Sequence, residues 1–253
     1  MINQKFLLLL LSFILLFSCG RKLQIQSVEA ENIEVNSDVP KVQDEETRQL
    51  NEKIKPYRDS LDNSMNEVLA VASVSMELRR PESLLGNFVA DLMVEEFEEA
   101  TGREVDLAVT NYFGLRIAVL DSGVITRRDV YELMPFDNTL VLATVDSAEL
   151  KELFKHSLSS GGWPVSKDVQ IIQEGTDVTV LIGGRSIRSG ESYHILVNDY
   201  MASGGSDCTF MLDWDKKEYP FLLRDLIIEH LQEEQAAGNT IHPELSSRIV
   251  RFE

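Results

Sequence analysis

Apolar positions along the chain fall into segments with different periods, and the periods assign the elements. Leu85, Phe88, Val89, Leu92, Met93 and Phe97 recur at spacings of three and four, which predicts an amphipathic helix over about 84–100. Glutamates occupy its other face, and Gly102 supplies a stop. An earlier stripe, Leu50, Ile54, Tyr57, Leu61, Met65 and Leu69, predicts a helix from about Glu46, with Pro56 as an interruption. Val105 to Thr110 reads as a buried strand, and Ile117 to Leu120 as a short apolar segment before the turn Asp121-Ser122-Gly123. Thr126 with Asp129 predicts a capped short helix through Leu133. Asn138 to Val145 reads as a strand. Ser147 is placed as the cap of a helix carrying Leu150, Leu153, Phe154 and Leu158, which Gly161-Gly162 end. The period then becomes two: 169–172 and 178–182 form a hairpin, and Tyr193 to Val197 a further strand. A Gly/Ser-rich loop spans 199–207, a last helix 221–231 and a closing strand 248–252. Helices and hairpins in one chain give an α+β fold with a mixed β-sheet packed against helices.

The first residues follow another logic. Lys5 precedes an apolar run from Phe6 to Phe17, broken only by Ser12 and too short for a comfortable membrane span. This is the layout of a signal peptide. Leu16-Phe17-Ser18-Cys19 resembles a bacterial lipobox, which implies a signal peptide over 1–18 and lipid on Cys19. Residues 19–45 are polar and acidic, as in a flexible tether, and the domain occupies 46–253. The expected location is the bacterial cell envelope, lipid-anchored and facing the periplasm or the cell surface. With Cys19 lipidated, Cys208 has no partner and no disulfide is expected.

Charge narrows the class of ligand. Lysine and arginine number 24 against 42 acidic residues, a formal net charge of −18. A nucleic-acid polymer is therefore an unsuitable partner. A small anion is not excluded, because screening over about 8 Å lets a local arginine govern its own pocket. Thr110-Asn111-Tyr112-Phe113-Gly114-Leu115-Arg116 supplies such an arginine at a strand end. Gly114 permits positive φ or close approach, Asn111 offers a donor and an acceptor, and Arg116 a forked cation.

Four segments lie at element boundaries: Glu82-Ser83-Leu84-Leu85-Gly86-Asn87-Phe88-Val89-Ala90-Asp91, Thr110 to Arg116, Met134-Pro135-Phe136, and Asn198 to Gly205. In order and spacing they resemble the C-terminal, substrate-binding domain of 5'-nucleotidases, the family of UDP-sugar hydrolase and 2',3'-cyclic phosphodiesterase, in a stand-alone lipoprotein form. The resemblance covers about 50–253. It implies a nucleotide or nucleoside ligand, with Phe136 and Tyr200 sandwiching the base. It also implies Arg79 and Arg116 toward phosphate, and Asn111 and Gly114 lining the pocket. Asp207 would face the ribose, with Ser206 as an inserted residue. Asn87 reads as a helix cap, and His156 as a structural residue on its helix. Tyr112 and Phe113 replace glycines usual in that loop.

Chemistry in the resembled family belongs to a separate metallophosphatase domain. The four histidines, at 156, 194, 230 and 242, lie in none of its motifs. No catalytic residue, cofactor or metal ligand is therefore expected in this chain. Divalent metals are expected only on a separate metallophosphatase protein with which this chain would act in nucleotide catabolism. The alternative is a non-catalytic envelope scaffold that keeps the fold without the ligand.

Overall fold

The computed structural model describes residues 45–252. The expected signal peptide, Cys19 and nearly all of the expected tether lie outside the described residues. The chain divides into two compact units between Asn51 and Glu52. Of the first, only the opening of helix α1 (Glu45–Met65) is described. This helix continues through Pro56 rather than breaking there. Leu50, Tyr57 and Leu61 on it are exposed, so water can serve the backbone group that proline leaves.

The described part of the second unit holds two four-stranded sheets and two two-stranded ones. Strand β1 (Val68–Ala72) and β2 (Met76–Glu77) lead into α2 (Leu84–Thr101). Then come β3 (Leu107–Ala108), β4 (Val119–Leu120), β5 (Gly123–Thr126) and α3 (Arg127–Leu133). These are followed by β6 (Thr139–Asp146), α4 (Ser147–Ser159) and the hairpin β7 (Val169–Glu174) and β8 (Asp177–Ile182). The remaining elements are β9 (Arg185–Ser186), β10 (Ser192–Asn198), α5 (Asp199–Ala202), β11 (Asp215–Leu222), α6 (Leu223–Ala236) and β12 (Ile249–Phe252). The central sheet runs β11-β6-β10-β3, with β10 parallel to β3 and antiparallel to β6. A second sheet runs β12-β7-β8-β9. The class is α+β with mixed pairing.

Alternation along β6 and β10 gives the central sheet two buried faces. Leu140, Leu142 and Leu196 join a core with α2 and α6, including Phe97, Leu226, Ile227 and Leu231. Val141, Ala143, Val145, Ile195 and Val197 point the other way, into a core with α4, Trp163 and the hairpin. Neither face is left to water, which is why both strands read as nearly continuous apolar runs.

Helices α2 and α3 start where the pattern puts them, while the caps of α2 and α4 and the bounds of α6 differ from expectation. The side chain of Ser83, not Asn87, caps α2 by accepting from Gly86 N. Asp146 rather than Ser147 caps α4, in a reciprocal capping box with Glu149. Thr126 and Asp129 form the expected box on α3. The last helix runs over 223–236 rather than 221–231, because Phe221 and Leu222 still belong to β11. The loop over 199–207 is wound into the single turn α5 and a 3₁₀ turn at Gly205–Asp207.

Asn87 and its motif partners fasten the end of the chain. Its amide donates to Glu82 Oε1 and to the Glu244 carbonyl, both at 2.8 Å. Glu82 also accepts from Ser246 N at 2.9 Å and Arg248 N at 2.8 Å. Arg248 then grips Asp91 through two bonds of 2.6 and 2.8 Å. The Glu82 to Asp91 motif thus anchors the segment before β12, and none of its residues lines the pocket below.

Candidate functional site

The chain leaves β3 through Val109 and Thr110 and turns at Asn111 into a 3₁₀ turn, Tyr112–Gly114. It leaves β10 through Asn198 into α5. It enters β6 just after Phe136 and Asn138. β10 is parallel to β3 and antiparallel to β6, so all three junctions fall at one end of the sheet. They enclose a cavity of about 280 Å³ lined by Asn111, Phe113, Gly114, Arg116, Phe136, Asn138, Tyr200 and Ser206.

Three aromatic rings face this space while remaining open to water: Phe113 is 65% exposed, Phe136 38% and Tyr200 51%. Large rings held at the surface forfeit burial, roughly 1.5–3 kcal/mol for a side chain of phenylalanine size. Three around one cavity form a concave apolar platform. Arg116 stands at the rim with its guanidinium carbon 5.6 Å from the centre of the Phe136 ring. Its backbone is fixed by a 2.9 Å bond from its N–H to the Leu133 carbonyl. Its side chain donates only a long bond, 3.5 Å, to the Phe113 carbonyl, and no carboxylate among the described residues pairs with it.

A polar chain holds the floor. Asn198 Oδ1 accepts from Met201 N at 2.8 Å, and its amide donates to Thr110 Oγ1 at 3.1 Å and Asn111 Oδ1 at 3.0 Å. Asn111 in turn donates to Ser206 Oγ at 3.2 Å. His156 Nε2 lies 2.8 Å from the Ser206 carbonyl, and its ring sits edge-on to Trp163 and Phe210. That histidine supports the loop from behind. Two glycines are sterically required. A Cβ on Gly114 would approach Asn111 Oδ1 to 2.9 Å, so close approach rather than positive φ is the need there. A Cβ on Gly205 would meet the Tyr200 ring and the Tyr200 carbonyl at 2.5 Å.

Of the residues singled out from sequence, Asn111, Gly114, Arg116, Phe136 and Tyr200 converge on this cavity. Arg79 does not: it is exposed and pairs with Glu77. Its neighbour Arg80 instead stacks over Tyr112 at 3.9 Å and reaches Phe113 at 5.1 Å. Asp207 is also outside the lining, exposed and at φ 60°, and Ser206 takes the inward position. The two rings of the loop part company. Tyr112 turns inward, its hydroxyl donating to the Leu78 carbonyl at 3.3 Å, while Phe113 faces the cavity. Asn138 and Ser206 join the lining without having been expected there, and Phe113 takes one of the places left open for the rings that replace the loop glycines, narrowing the cavity. For Asn138 the available signal is an asparagine two residues past an exposed aromatic, at a strand entrance. Among the described residues, no group of three His, Cys, Asp or Glu side chains is arranged to hold a metal ion.

A family model described as "5'-nucleotidase, C-terminal domain" matches residues 66–213. The chain belongs to this family. Within the 5'-nucleotidase C-terminal domains, the matched segment runs from the end of α1 past the Ser206 turn and so contains the whole cavity lining. A curated relative, the trifunctional nucleotide phosphoesterase protein YfkN of Bacillus subtilis, is 26% identical over 227 residues, 81% of this chain and 15% of that protein. A probable 5'-nucleotidase of Treponema pallidum is 35% identical over 95 residues, 35% of this chain and 16% of that protein. A solved structure of a 5'-nucleotidase precursor from Thermus thermophilus has the same fold, with TM-score 0.67 and 23% identity over 81% of this chain and 43% of that one. The chain thus matches less than half the length of each of these relatives.

Proposed function

We propose that this domain binds nucleotides, and the nucleosides released from them, and presents the nucleotides for hydrolysis of the phosphate ester by a metallophosphatase carried on another protein. One observation carries the reading: three exposed rings and an arginine without a carboxylate partner among the described residues share one cavity. A purine ring stacked on an aromatic side chain gains roughly 1–3 kcal/mol whatever the base. Arg116 at the rim suits a phosphate oxygen, which accepts from a guanidinium through paired charge-assisted bonds. The relatives' names point the same way, toward nucleotide phosphoesters. The chain itself contributes binding and orientation. Activation of water by metal ions would fall to the partner. The lipobox-like Cys19 supports an envelope location with the domain held near a membrane by lipid. Among the described residues no helix is long and apolar enough to cross one.

Calorimetric titration of the domain with adenosine and AMP tests the proposal. Binding of both is expected, tighter for AMP, with loss of at least tenfold in the Phe136→Ala, Tyr200→Ala double variant. Absence of heat for either ligand, with or without an added metallophosphatase, refutes it.

A further inference from the structure

On the basis of that reading, we propose that Arg224, which does not line the cavity, is a positioning residue that aims the Phe136 ring at the base of the ligand. Arg224 is the second residue of α6 and is buried. Its Nη1 donates to the Phe136 carbonyl at 3.2 Å and its Nη2 to Asp137 Oδ1 at 2.5 Å. Its guanidinium carbon also lies 4.5 Å from the centre of the Tyr131 ring on α3. The residue before it, Leu223, donates its N–H to the Asn138 carbonyl at 2.9 Å. The first two residues of α6 thus hold, by their main chain, the two lining residues that this loop supplies, Phe136 and Asn138.

An arginine is a poor choice here for stability alone. Its Nε is buried with no hydrogen-bond partner among the described residues. A buried ion pair is often no more stable than well-packed apolar side chains in its place. The Asp137 side chain is 77% exposed, so water can serve its carboxylate without a cation. What arginine adds is geometry. A planar guanidinium fixes its N–H groups in a fork, so it can grip two consecutive residues of the loop while lying against a ring. Lysine has a single ammonium on a flexible stem and no such fork. The Phe136 ring is partly open to water, so the direction of its Cα–Cβ bond decides where the ring stands, and Arg224 fixes the peptide that follows that bond.

Calorimetric titration with adenosine, which offers a base and no phosphate, tests this in a double-mutant cycle of Arg224→Met and Phe136→Ala. Arg224→Met alone is expected to weaken adenosine binding about tenfold, within the range that one stacked ring supplies. In the Phe136→Ala background the same change should alter affinity by less than about twofold, because the ring it aims is gone. An equal loss in both backgrounds overturns the inference, since the arginine would then act on the fold and not through the ring. Unchanged affinity in an Arg224→Met protein that circular dichroism shows to be folded overturns it too. Asp137→Ala removes only the exposed partner and decides the matter if Arg224→Met does not fold: a loss of about threefold or more supports the inference, and wild-type affinity overturns it. Each of these failures leaves the nucleotide-binding reading intact, because the wild-type domain still binds. Failure of the wild-type domain to bind adenosine overturns that reading and this inference with it.

Discussion

Removing the Asp91 carboxylate should cost more than removing its partner Arg248. The Arg248 side chain is only 6% exposed, against 22% for Asp91. In Asp91→Ala, Nη1 keeps its 2.8 Å bond to the Val165 carbonyl and Nε its 3.0 Å bond to Ser246 Oγ, but Nη2 loses the one acceptor it has. Breaking a buried ion pair from one side costs about 3–5 kcal/mol. The two retained bonds and the partial exposure of Asp91 reduce this to roughly 2–4 kcal/mol. For a domain of this size that lowers the melting temperature by about 5–15 °C. Arg248→Met leaves a carboxylate that still accepts from Lys167 N at 2.6 Å and can reach water, so about 1–2 kcal/mol is expected. The double variant should lose less than the sum of the two, because each single change counts the same interaction. Urea denaturation followed by tryptophan fluorescence reads this well, since Trp163 and Trp214 are both buried. An Asp91→Ala loss below about 0.5 kcal/mol, or strict additivity in the double variant, would refute the reasoning that this pair clamps the end of the chain.

Three further outcomes are expected. Gly205→Ala should push the Tyr200 ring from the cavity, lowering stability by about 1–3 kcal/mol as overpacking does and weakening adenosine binding at least tenfold; wild-type affinity in calorimetry would contradict the contact. His230 is partly buried, which pulls its pKa down, but the 2.7 Å bond to Glu96 and the fields of Glu96, Glu95 and Glu234 outweigh this and raise it overall. A raised folded value means its stabilising contribution is complete below the unfolded value near 6.5 and is lost as pH climbs through the folded one; the stability gap between wild type and His230→Gln should therefore narrow from pH 6 to pH 9, and a constant gap in urea melts would count against it. Burial, with the nearby charge of Asp207, pushes the Cys208 thiol up to about 12, so a colorimetric disulfide reagent at pH 8 should label it in urea but not in the native domain within the same minutes.

Legibility from sequence followed the range of the interaction involved. The α3 box, the stop of α4 at Gly161-Gly162 and the β7–β8 hairpin are set by neighbours a few residues apart, and they form as the pattern predicts. Strand β3 has two residues where the pattern predicts a strand over 105–110, yet its flanks continue the pairing as single bonds, from Asp106 N to the His194 carbonyl and from Val109 N to the Leu196 carbonyl. At the site, the residues on the strand-end loops were legible as types. Side-chain direction was not. Arg79 and Arg80 are adjacent at a bend after β2, and contact with the Tyr112 ring, which no sequence pattern shows, marks Arg80 as the one that packs inward. Ser206 and Asp207 both take left-handed backbone, and the turn they make, not their chemistry, puts serine inside.

The polar chain beneath the cavity has a direction. It starts at the Met201 N–H, which can only donate, so Asn198 must present its oxygen there and its amide protons to the next residue. Asn111 is then obliged to receive on its oxygen and give from its nitrogen, and the Ser206 oxygen becomes the receiver at the end of the line. The proton of that hydroxyl has no acceptor among the described residues. A backbone amide at the start of a four-residue helix therefore sets the polarity of the cavity floor, and a ligand atom resting on Ser206 is offered a hydrogen to accept.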